Sequence, residues 1–342
     1  MSIVHRLLGS PVAASVLGSI LVFLSITALR SAGGLEWAEL AAYYWYIRLR
    51  PEHSVPDPRL VLIGITEHDT RTYWPFTDAT VARALEMLTQ YGARAIGLDM
   101  YRDIPLDPGR EALDAMLTTN RHIIAVMKLG EGESDGVPPP RVLVGSDQVG
   151  YNDVAVDPDG VVRRGLLFLG DQETMGPSFA LRLALRYLEA QRITLASDPS
   201  NPQYLRLGPT RIRPFEPNDG GYVAADARGY QFLLDFQGAH PPFPSYSLTT
   251  LLTGSIEPES IANKIVLMGS VAVSLPDLFK TPYSRGLQIP GIELHAHVVS
   301  QLLRFGLNRS SPMAVTSEWE EWVWILLWSA MGGTLGLRVR SA

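Results

Sequence analysis

The sequence contains no cysteine, which excludes a disulfide framework, thiolate catalysis and cysteine metal ligands. It is also poor in charge, because charged residues make up 19% of the 342 residues and hydrophobic residues make up 46%. The net charge of −6 leaves no basic face for nucleic acid, so we expect no nucleic-acid partner. This balance is typical of a soluble domain joined to a small amount of membrane-spanning chain.

Residues 7–29 are the first long hydrophobic run, with 23 uncharged residues between Arg6 and Arg30. As a helix this run spans roughly 34 Å, which is enough to cross the hydrocarbon core of a bilayer. A cleaved signal peptide is the alternative, but the run is longer than a usual signal core and no small-x-small cleavage site follows it. We therefore predict a transmembrane helix that follows a cytoplasmic amino terminus at residues 1–6.

Residues 322–337 are a second apolar run, short enough that a buried core helix is the alternative. Tryptophan, which prefers the bilayer interface, clusters at one end of this run, at Trp319, Trp322, Trp324 and Trp328. Arg338 and Arg340 follow its other end, and the positive-inside rule places them in the cytoplasm. We predict a second transmembrane helix with a cytoplasmic end at residues 338–342, so that everything between the two helices is exported.

Small residues recur at four-residue spacing in both predicted membrane helices. They are Ala14 and Gly18 in the first helix, and Gly332 and Gly336 in the second. Such spacing lets two helices approach closely. We expect the two helices to pack against each other, within one chain or across a dimer.

The remaining chain divides into a linker helix and a large α/β domain. Residues 35–50 predict a juxtamembrane amphipathic helix, which Pro51 ends. In residues 51–312, apolar strands at 60–65, 95–100, 122–127 and 264–268 alternate with helices, of which the helix at 79–91 has Asp78 as its expected N-cap. This order predicts an α/β fold with a mostly parallel, three-layer sheet, flanked by the two transmembrane helices. Strands at 150–155 and 161–169, joined by a turn at 157–160, predict a β-hairpin insertion.

Carboxylates follow two neighbouring strands of this predicted sheet. Asp99 ends one strand, and Glu67 and Asp69 follow another, at the edge where open parallel sheets bind ligands. They can hold a cation or a basic ligand, and the alternative is that they brace loops. With two further residues in loops, the candidate ligand-binding residues are Glu67, Asp69, Trp74, Asp99 and Asp277.

Other motifs predict structure rather than chemistry. His295 and His297 are two residues apart and do not share a helix face, so we interpret His295 as a buried histidine near Glu293. The residues at 157–160 resemble the start of a calcium loop, but Phe168 stands where the distal glutamate would be, and a turn is favoured. Phosphate-binding loops and nucleophile motifs are missing from the sequence. We predict no catalytic residue, no cofactor and no metal site.

Several segments, in a fixed order over roughly residues 35–340, resemble the type-2 CHASE domain. They are YGARAIGLD at 91–99, DPDGVVRR at 157–164, PSFA at 177–180, FPSYS at 243–247, KIVLMGS at 264–270 and PGIELHA at 290–296. The resemblance implies an extracytoplasmic sensor of the kind found on bacterial adenylate or diguanylate cyclases, histidine kinases and serine/threonine kinases. In that family, further transmembrane helices and a cytoplasmic enzyme usually follow the sensor.

We therefore expect a non-catalytic, ligand-sensing domain of a bacterial membrane receptor. It would lie on the extracytoplasmic or periplasmic side of the cytoplasmic (inner) membrane and pass a conformational signal through its flanking helices to a cyclase or kinase output missing from this chain. The expected partners are membrane lipid, an unknown small-molecule or protein ligand, and a second copy in a homodimer or a larger membrane complex. Because the sequence stops at Ala342 without an output domain, the alternative is a structural or assembly subunit that uses the sensor fold for docking.

Overall fold

The computed structural model describes residues 11–49, 56–130, 135–170, 175–236, 243–283, 287–308 and 310–341. The chain forms two compact units. The α/β unit comprises Ile47–Phe215 and Arg228–Met313. The helical unit comprises Met1–Tyr46, Glu216–Ala227 and Ala314–Ala342. Residues 7–10 and Arg50, at the ends of two predicted helices, lie outside the described residues.

The described elements alternate between helix and strand through most of the chain. The helices are α1 (Pro11–Ser31), α2 (Glu36–Leu49), α3 (Glu67–Tyr73), α4 (Asp78–Gln90), α5 (Arg110–Thr119), α6 (Phe179–Leu188), α7 (Leu248–Leu252), α8 (Gly291–Asn308) and α9 (Glu318–Ser341). The strands are β1 (Leu60–Ile65), β2 (Ala95–Asp99), β3 (Ile123–Met127), β4 (Val149–Tyr151), β5 (Arg164–Leu169), β6 (Gly176–Pro177), β7 (Leu195–Asp198), β8 (Asn201–Leu207), β9 (Thr210–Ile212), β10 (Tyr230–Leu233), β11 (Ser245–Ser247), β12 (Ile265–Ser270), β13 (Leu278–Phe279) and β14 (Ile289–Pro290).

The α/β unit is built on a six-stranded sheet with the order β11-β1-β12-β2-β3-β4. Every neighbouring pair in this sheet is parallel, which confirms the predicted parallel architecture. The central strands are short apolar runs that are buried on both faces, as strands covered by helices on two sides must be. Strand β12 enters between β1 and β2, so a late segment of the chain completes the centre of the sheet.

Two hydrophobic cores flank the sheet and make the three layers. Leu60 and Leu62 of β1 face one core, together with Phe179 of α6 and residues of α8. Val61 and Ile63 face the other core, with residues of α4, α5 and α7. Alternate side chains of one strand therefore enter opposite cores, as the pleat of a strand requires.

Helix α4 begins one residue earlier than the sequence predicts. Its N-cap is Thr77, whose hydroxyl accepts a hydrogen bond from the Thr80 amide, so Asp78 is the first helical residue rather than the cap. The Asp78 side chain is fully buried, 3.8 Å from Arg102 and 3.7 Å from Arg110. The carboxylate therefore ties the loop after β2 to the start of α4.

The predicted hairpin around residues 157–160 is not confirmed. Strand β4 pairs with β3 in the main sheet, whereas β5 pairs with β6 and β10 in a second, antiparallel sheet. A single bridge between Val156 and Val162 closes the turn. Asp157 in this turn forms buried ion pairs with Arg163 and Arg164, so the aspartate holds the turn together.

Helices α1 and α9 of the helical unit are both long and apolar enough to cross a membrane. Most of their large hydrophobic side chains are exposed, as in Leu21 at 67% and Leu327 at 57%. Helix α9 extends beyond the predicted 322–337 at both ends. It starts early because Glu320 accepts hydrogen bonds from the Ser317 amide and hydroxyl. The four tryptophans of α9, Trp319, Trp322, Trp324 and Trp328, are all at least half exposed.

Candidate functional site

The carboxyl ends of β2, β3 and β4 bring polar side chains to one edge of the main sheet. Asp99 is the last residue of β2, and Asn152 directly follows β4. Because these strands are adjacent and parallel, the chain leaves all three at the same edge. This is the edge at which open α/β sheets bind ligands.

Asp99 is the centre of this edge. Its Oδ1 accepts a hydrogen bond from Asn152 Nδ2 at 3.3 Å, and Asn152 Oδ1 accepts one from the Tyr101 hydroxyl at 3.0 Å. The residue is half-buried, but its Oδ2 has no access to solvent and no hydrogen-bond partner within the described part of the chain. Burial raises the pKa of the Asp99 carboxyl from 3.8 to about 6, and the Asn152 hydrogen bond only partly opposes this effect.

Asp277, in the loop directly before β13, lies within electrostatic range of Asp99. Its carbonyl accepts a hydrogen bond from the Gly291 amide at 2.8 Å, and a Cβ added at Gly291 would overlap the Asp277 carboxylate. Glycine at the first position of α8 therefore makes room for this carboxylate. Burial raises the Asp277 pKa, and the negative charge of Asp99 raises it further.

His295 approaches the same group from α8, one turn beyond Gly291. The imidazole is 6% exposed and packs edge-on against Phe179 with 5.4 Å between ring centroids. Across the described residues it makes no hydrogen bond, although it lines a cavity of about 20 Å³ with Asp153. Burial lowers its pKa to about 4, against the opposing charges of Asp277 and Asp153, so the ring is neutral at neutral pH. His295 is buried, as predicted, but it faces Asp277.

Asp69 and Glu67 belong to a different arrangement. Asp69 is fully buried and accepts hydrogen bonds from Thr66, which caps α3, and from the amide and hydroxyl of Thr249 at 2.7 and 2.5 Å. Burial acts to raise the pKa of Asp69, but the hydrogen bonds from Thr249 and Thr66 hold it below 3.8. Glu67 is bound by the Ser274 amide at 2.7 Å, which lowers its pKa. Both carboxylates have their partners within the protein and brace loops.

Trp74 stands apart from both carboxylate groups. Its indole is 61% exposed and meets Phe76 edge-on with 5.8 Å between ring centroids. Of the five candidates, Asp99 and Asp277 lie within electrostatic range of each other; Asn152 and Tyr101 are hydrogen-bonded in a chain to Asp99, and His295 lies within electrostatic range of Asp277. A binding role for Glu67, Asp69, Trp74, Asp99 and Asp277 stays a prediction. Sequence analysis missed Tyr101 and Asn152, although both follow strand ends and that position could have marked them.

The helical unit has its own polar centre at Arg30, near the end of α1. The Arg30 guanidinium pairs with Glu39 of α2 at 2.9 Å and with Glu321 of α9 at 2.6 Å. It also donates to the carbonyl of Gly220 at 2.8 Å. One side chain thus joins α1, α2, α9 and the segment Glu216–Ala227.

Helices α1 and α9 are antiparallel and pack within one chain. Ser15 donates to the Gly333 carbonyl at 2.6 Å, and a Cβ at Gly333 would overlap Ser19. The two helices therefore approach closely at Gly333. The four predicted packing residues, Ala14, Gly18, Gly332 and Gly336, line the same groove between the helices, and their packing role stays a prediction.

A family model for the CHASE2 domain matches residues 21–334. The chain belongs to the CHASE2 family. No curated protein sequence and no solved structure shows significant similarity to it. The CHASE2 match covers the sheet, the Asp99 site and most of α1 and α9.

CHASE2 domains are extracytoplasmic and sensory, and they are not catalytic. The chemistry of the Asp99 group agrees with this class. Two carboxyls, one neutral imidazole and one amide can bind a proton or a positively charged group. Within the described residues, no cluster of three histidine, aspartate or glutamate side chains could hold a metal ion.

Proposed function

We propose that this CHASE2 domain senses a ligand on the extracytoplasmic side of a bacterial cytoplasmic membrane. Helices α1 and α9 would carry the resulting conformational signal to a cyclase or kinase output outside these 342 residues. The observation that carries the proposal is the Asp99 group, a set of polar side chains at the ligand-binding edge of a sensor-family fold. A ligand that binds one conformation of the domain better than another shifts the population between them.

The Arg30 centre supplies a route for such a signal. The segment Glu216–Ala227 belongs to the helical unit, yet in the chain it joins Phe215 to Arg228, both residues of the α/β unit. Movement of the strands that flank this segment would pull on Gly220 and hence on Arg30. Because Arg30 also binds Glu321, the pull would reach α9 as well as α1.

The membrane arrangement follows from charge and composition. In α9 the acidic, tryptophan-rich end carries Glu318, Glu320 and Glu321, and the opposite end carries Arg338 and Arg340. The positive-inside rule places the arginines in the cytoplasm and the Arg30–Glu321 pair outside. Lipid would cover the exposed apolar side chains of both helices, and a second copy or a larger complex would complete the assembly.

The orientation can be tested directly, because the chain has no cysteine of its own. Single cysteines would replace Asp107, which is exposed in the α/β unit, and Val339 near the end of α9. In intact cells, a membrane-impermeant maleimide should label D107C but not V339C. The same reagent should label both after the membrane is opened. Labelling of V339C alone in intact cells would reverse the proposed orientation.

The signalling role is tested on the full chain, purified from native membranes in lipid nanodiscs. Native mass spectrometry would identify any retained small molecule, and spin labels at L21C and L335C would report the distance between α1 and α9. Removing and restoring that molecule should change the distance. A distance that stays constant, together with a stoichiometric protein partner, would instead support the docking subunit.

The Arg30 route has a matched test. Arg30→Gln removes the charge that joins α1 to Glu39 and Glu321, whereas Arg71→Gln changes an exposed arginine of α3 outside this centre. Arg30→Gln should leave ligand binding intact and abolish the change in label distance. Arg71→Gln should preserve both. An unchanged response in Arg30→Gln would exclude this route.

A further inference from the structure

Two arginines lie directly opposite each other on the hairpin formed by β8 and β9. The register of the two strands pairs Arg206 with Arg211, so both side chains stand on the same face of the hairpin. Cross-strand partners have Cβ atoms about 4.5–5.5 Å apart, and like charges in this position destabilise the pairing of the strands. The arrangement therefore calls for negative charge close to the two guanidinium groups.

Asp198, at the end of β7, supplies part of that negative charge. Its Oδ1 accepts a hydrogen bond from Arg211 Nη2 at 3.0 Å, and also bonds from the backbone amides of the turn that follows β7. Arg206 donates from Nε to the carbonyl of Gly208 at 3.1 Å, and it forms no ion pair with any described residue. One carboxylate thus faces two guanidinium groups, which leaves one positive charge without a counter-charge.

Both arginines line an open pocket of about 490 Å³ on this face of the hairpin. The other lining residues come from the hairpin and from the chain that follows α8, and they are Pro209, Thr210, Ser310, Ser311 and Pro312. None of these described lining residues is acidic, and three of them carry a hydroxyl group. The volume lies within the range of small-molecule sites, roughly 300–1,000 Å³. A positively charged wall with neutral hydroxyl groups predicts an anionic ligand.

Ser310 has hydrogen-bonding capacity that the described residues leave unused. Its Oγ is inaccessible to solvent and has no hydrogen-bond partner among them, and few buried hydroxyl groups in native proteins are in this state. The Ser310 carbonyl accepts a hydrogen bond from the Thr210 hydroxyl at 3.3 Å, so the hairpin and the chain after α8 are in contact. An unfilled donor therefore lies in the wall of the same pocket as the unpaired guanidinium group of Arg206.

A phosphate group matches this set of donors better than a carboxylate does. Guanidinium groups bind both anions through paired N–H donors. A carboxylate has two oxygens, and one arginine bound through both of its N–H donors engages them both. A phosphate group has further oxygens, so it can accept from Arg206, Arg211 and a serine hydroxyl together.

The carboxyl end of α8 acts against an anion in this pocket. Helix α8 ends at Asn308, and the last carbonyls of a helix carry partial negative charge, which cations stabilise. Within the described chain, neither arginine donates to α8, and the Phe305 carbonyl is bound by the Thr210 hydroxyl at 2.8 Å. The end of α8 alone therefore does not account for two opposed arginines.

We propose that the pocket between the β8–β9 hairpin and residues 310–312 binds a phosphate group through Arg206 and Arg211. The phosphate belongs either to a phospholipid headgroup or to a soluble phosphate ester. In the chain, only residues 313–317 separate the pocket from the first residue of α9. A ligand that joins the hairpin to residues 310–312 would restrain the segment that leads into α9, and this link rests on the sensory function proposed above.

The binding test is isothermal titration calorimetry of the full chain in micelles of a non-ionic, phosphate-free detergent. Glycerol 3-phosphate is the soluble probe, and phosphatidylglycerol added to the micelles is the lipid probe. Saturable binding of glycerol 3-phosphate would support the site with a soluble ester as its ligand. Saturable binding of phosphatidylglycerol alone would support the site with a headgroup as its ligand. Saturable binding of neither probe would overturn the proposal.

A matched pair of variants tests whether the binding occurs in this pocket. Arg206→Gln removes one charged donor group, so it should weaken binding by at least about tenfold. Arg71→Gln makes the same change at an exposed arginine of α3 that does not line the pocket, and it should leave the affinity unchanged. Equal affinity of Arg206→Gln and the native chain would overturn the site.

Thermal unfolding distinguishes a ligand site from a purely structural role of the arginines. Without phosphate, Arg206→Gln relieves the cross-strand repulsion, so its unfolding midpoint should equal or exceed that of the native chain. Glycerol 3-phosphate should raise the midpoint of the native chain and not that of Arg206→Gln. A lower midpoint of Arg206→Gln, together with no effect of the probe on the native chain, would assign the arginines to the end of α8 and overturn the proposal.

The link to α9 is tested separately from the site. The distance between spin labels at L21C and L335C would be measured with and without a saturating amount of the probe that binds. A changed distance would support the link as well as the site. Saturable binding with an unchanged distance would support the phosphate site and refute the link, because calorimetry reports on binding alone.

Discussion

Asp69 and Asp99 are two aspartates at the same edge of one parallel sheet, and they differ in how completely the protein satisfies them. Asp69 accepts hydrogen bonds from Thr66 and Thr249 on both oxygens, and its pKa is lowered. Asp99 has one bond at 3.3 Å, an inaccessible second oxygen, and a raised pKa. One carboxylate stabilises the fold when it is charged, and the other destabilises the fold when it is charged.

This difference separates a structural carboxylate from a candidate functional one. A buried ion with full hydrogen bonding holds its loops in place, so the fold depends on it. A buried carboxylate with missing partners costs stability, so it is kept mainly where it has a function. This is why perturbed pKa values concentrate at functional sites. Changing each carboxylate in turn in the full chain tests this difference.

Asp69→Ala should have the largest effect. It removes the capping box of α3 and leaves the amide and hydroxyl of the half-buried Thr249 without their acceptor, so we expect the free energy of unfolding to fall by about 2–4 kcal/mol. Urea denaturation in detergent micelles, followed by circular dichroism at pH 7.5, measures the change. Asp107→Ala is the control for loss of an exposed carboxylate. A loss below about 1 kcal/mol would mean that Asp69 does not brace this loop.

Asp99→Asn should act in the opposite direction. The folded-state pKa of about 6 exceeds the ordinary 3.8, so the folded protein holds this proton more tightly than the unfolded chain. That contribution to stability is fully present below about pH 4 and is lost as the pH rises to 6. Asparagine cannot ionise, so the variant should be about 1–3 kcal/mol more stable at pH 7.5. A variant less stable than the native chain at pH 7.5 would show that the Asp99 carboxylate, like that of Asp69, stabilises the fold when it is charged.

His295 should make the free energy of unfolding increase with pH, which is opposite to the effect of Asp99, and by a smaller amount. Its folded-state pKa of about 4 is below the ordinary 6.5, so the unfolded chain binds this proton more tightly. In an Asp99→Asn background, the free energy of unfolding should therefore rise by about 2 kcal/mol between pH 4.5 and 7. Adding His295→Gln should flatten that rise. If the slope persists in the double variant, another group titrates there.

Glu67→Gln should have the smallest effect. Glu67 is half-buried, but its hydrogen bonds to Ser274 are open to solvent, so glutamine can keep one acceptor and stability should hardly change. Parallel urea denaturation of Glu67→Gln and the native chain checks this. A large loss of stability would show that the loop at Ser274 depends on the charge of Glu67, so that Glu67, like Asp69, is a structural carboxylate.

Much of the sheet could be predicted from the sequence, because its central strands are continuous apolar runs. Leu60–Ile65 was predicted with the bounds that the structure has. Helix α3 was missed, since Glu67–Tyr73 has no apolar periodicity and owes its start to the Thr66–Asp69 capping box. The hairpin failed for a tertiary reason: β4 and β5 flank a good turn, but each finds a better partner in a different sheet.

The candidate site could be predicted from the sequence only in part. Strand ends identified Asp69 and Asp99 equally well, because both follow buried strands. What distinguishes them is the set of donors that reach them from distant segments, Thr249 for one and Asn152 for the other. Such partners depend on how distant segments pack, so the local spacing of residues does not predict them.

The Ser15–Gly333 contact has a consequence for how the protein is made. Its two residues are 318 positions apart in the chain. At bacterial and eukaryotic synthesis rates of about 5–20 residues per second, α1 waits roughly 15–60 s before α9 exists. During that interval Ser15, Ser19 and Arg30 have no α9 to bind. Any factor that holds the first helix in the bilayer must therefore release it late, and premature partners of α1 compete with correct assembly.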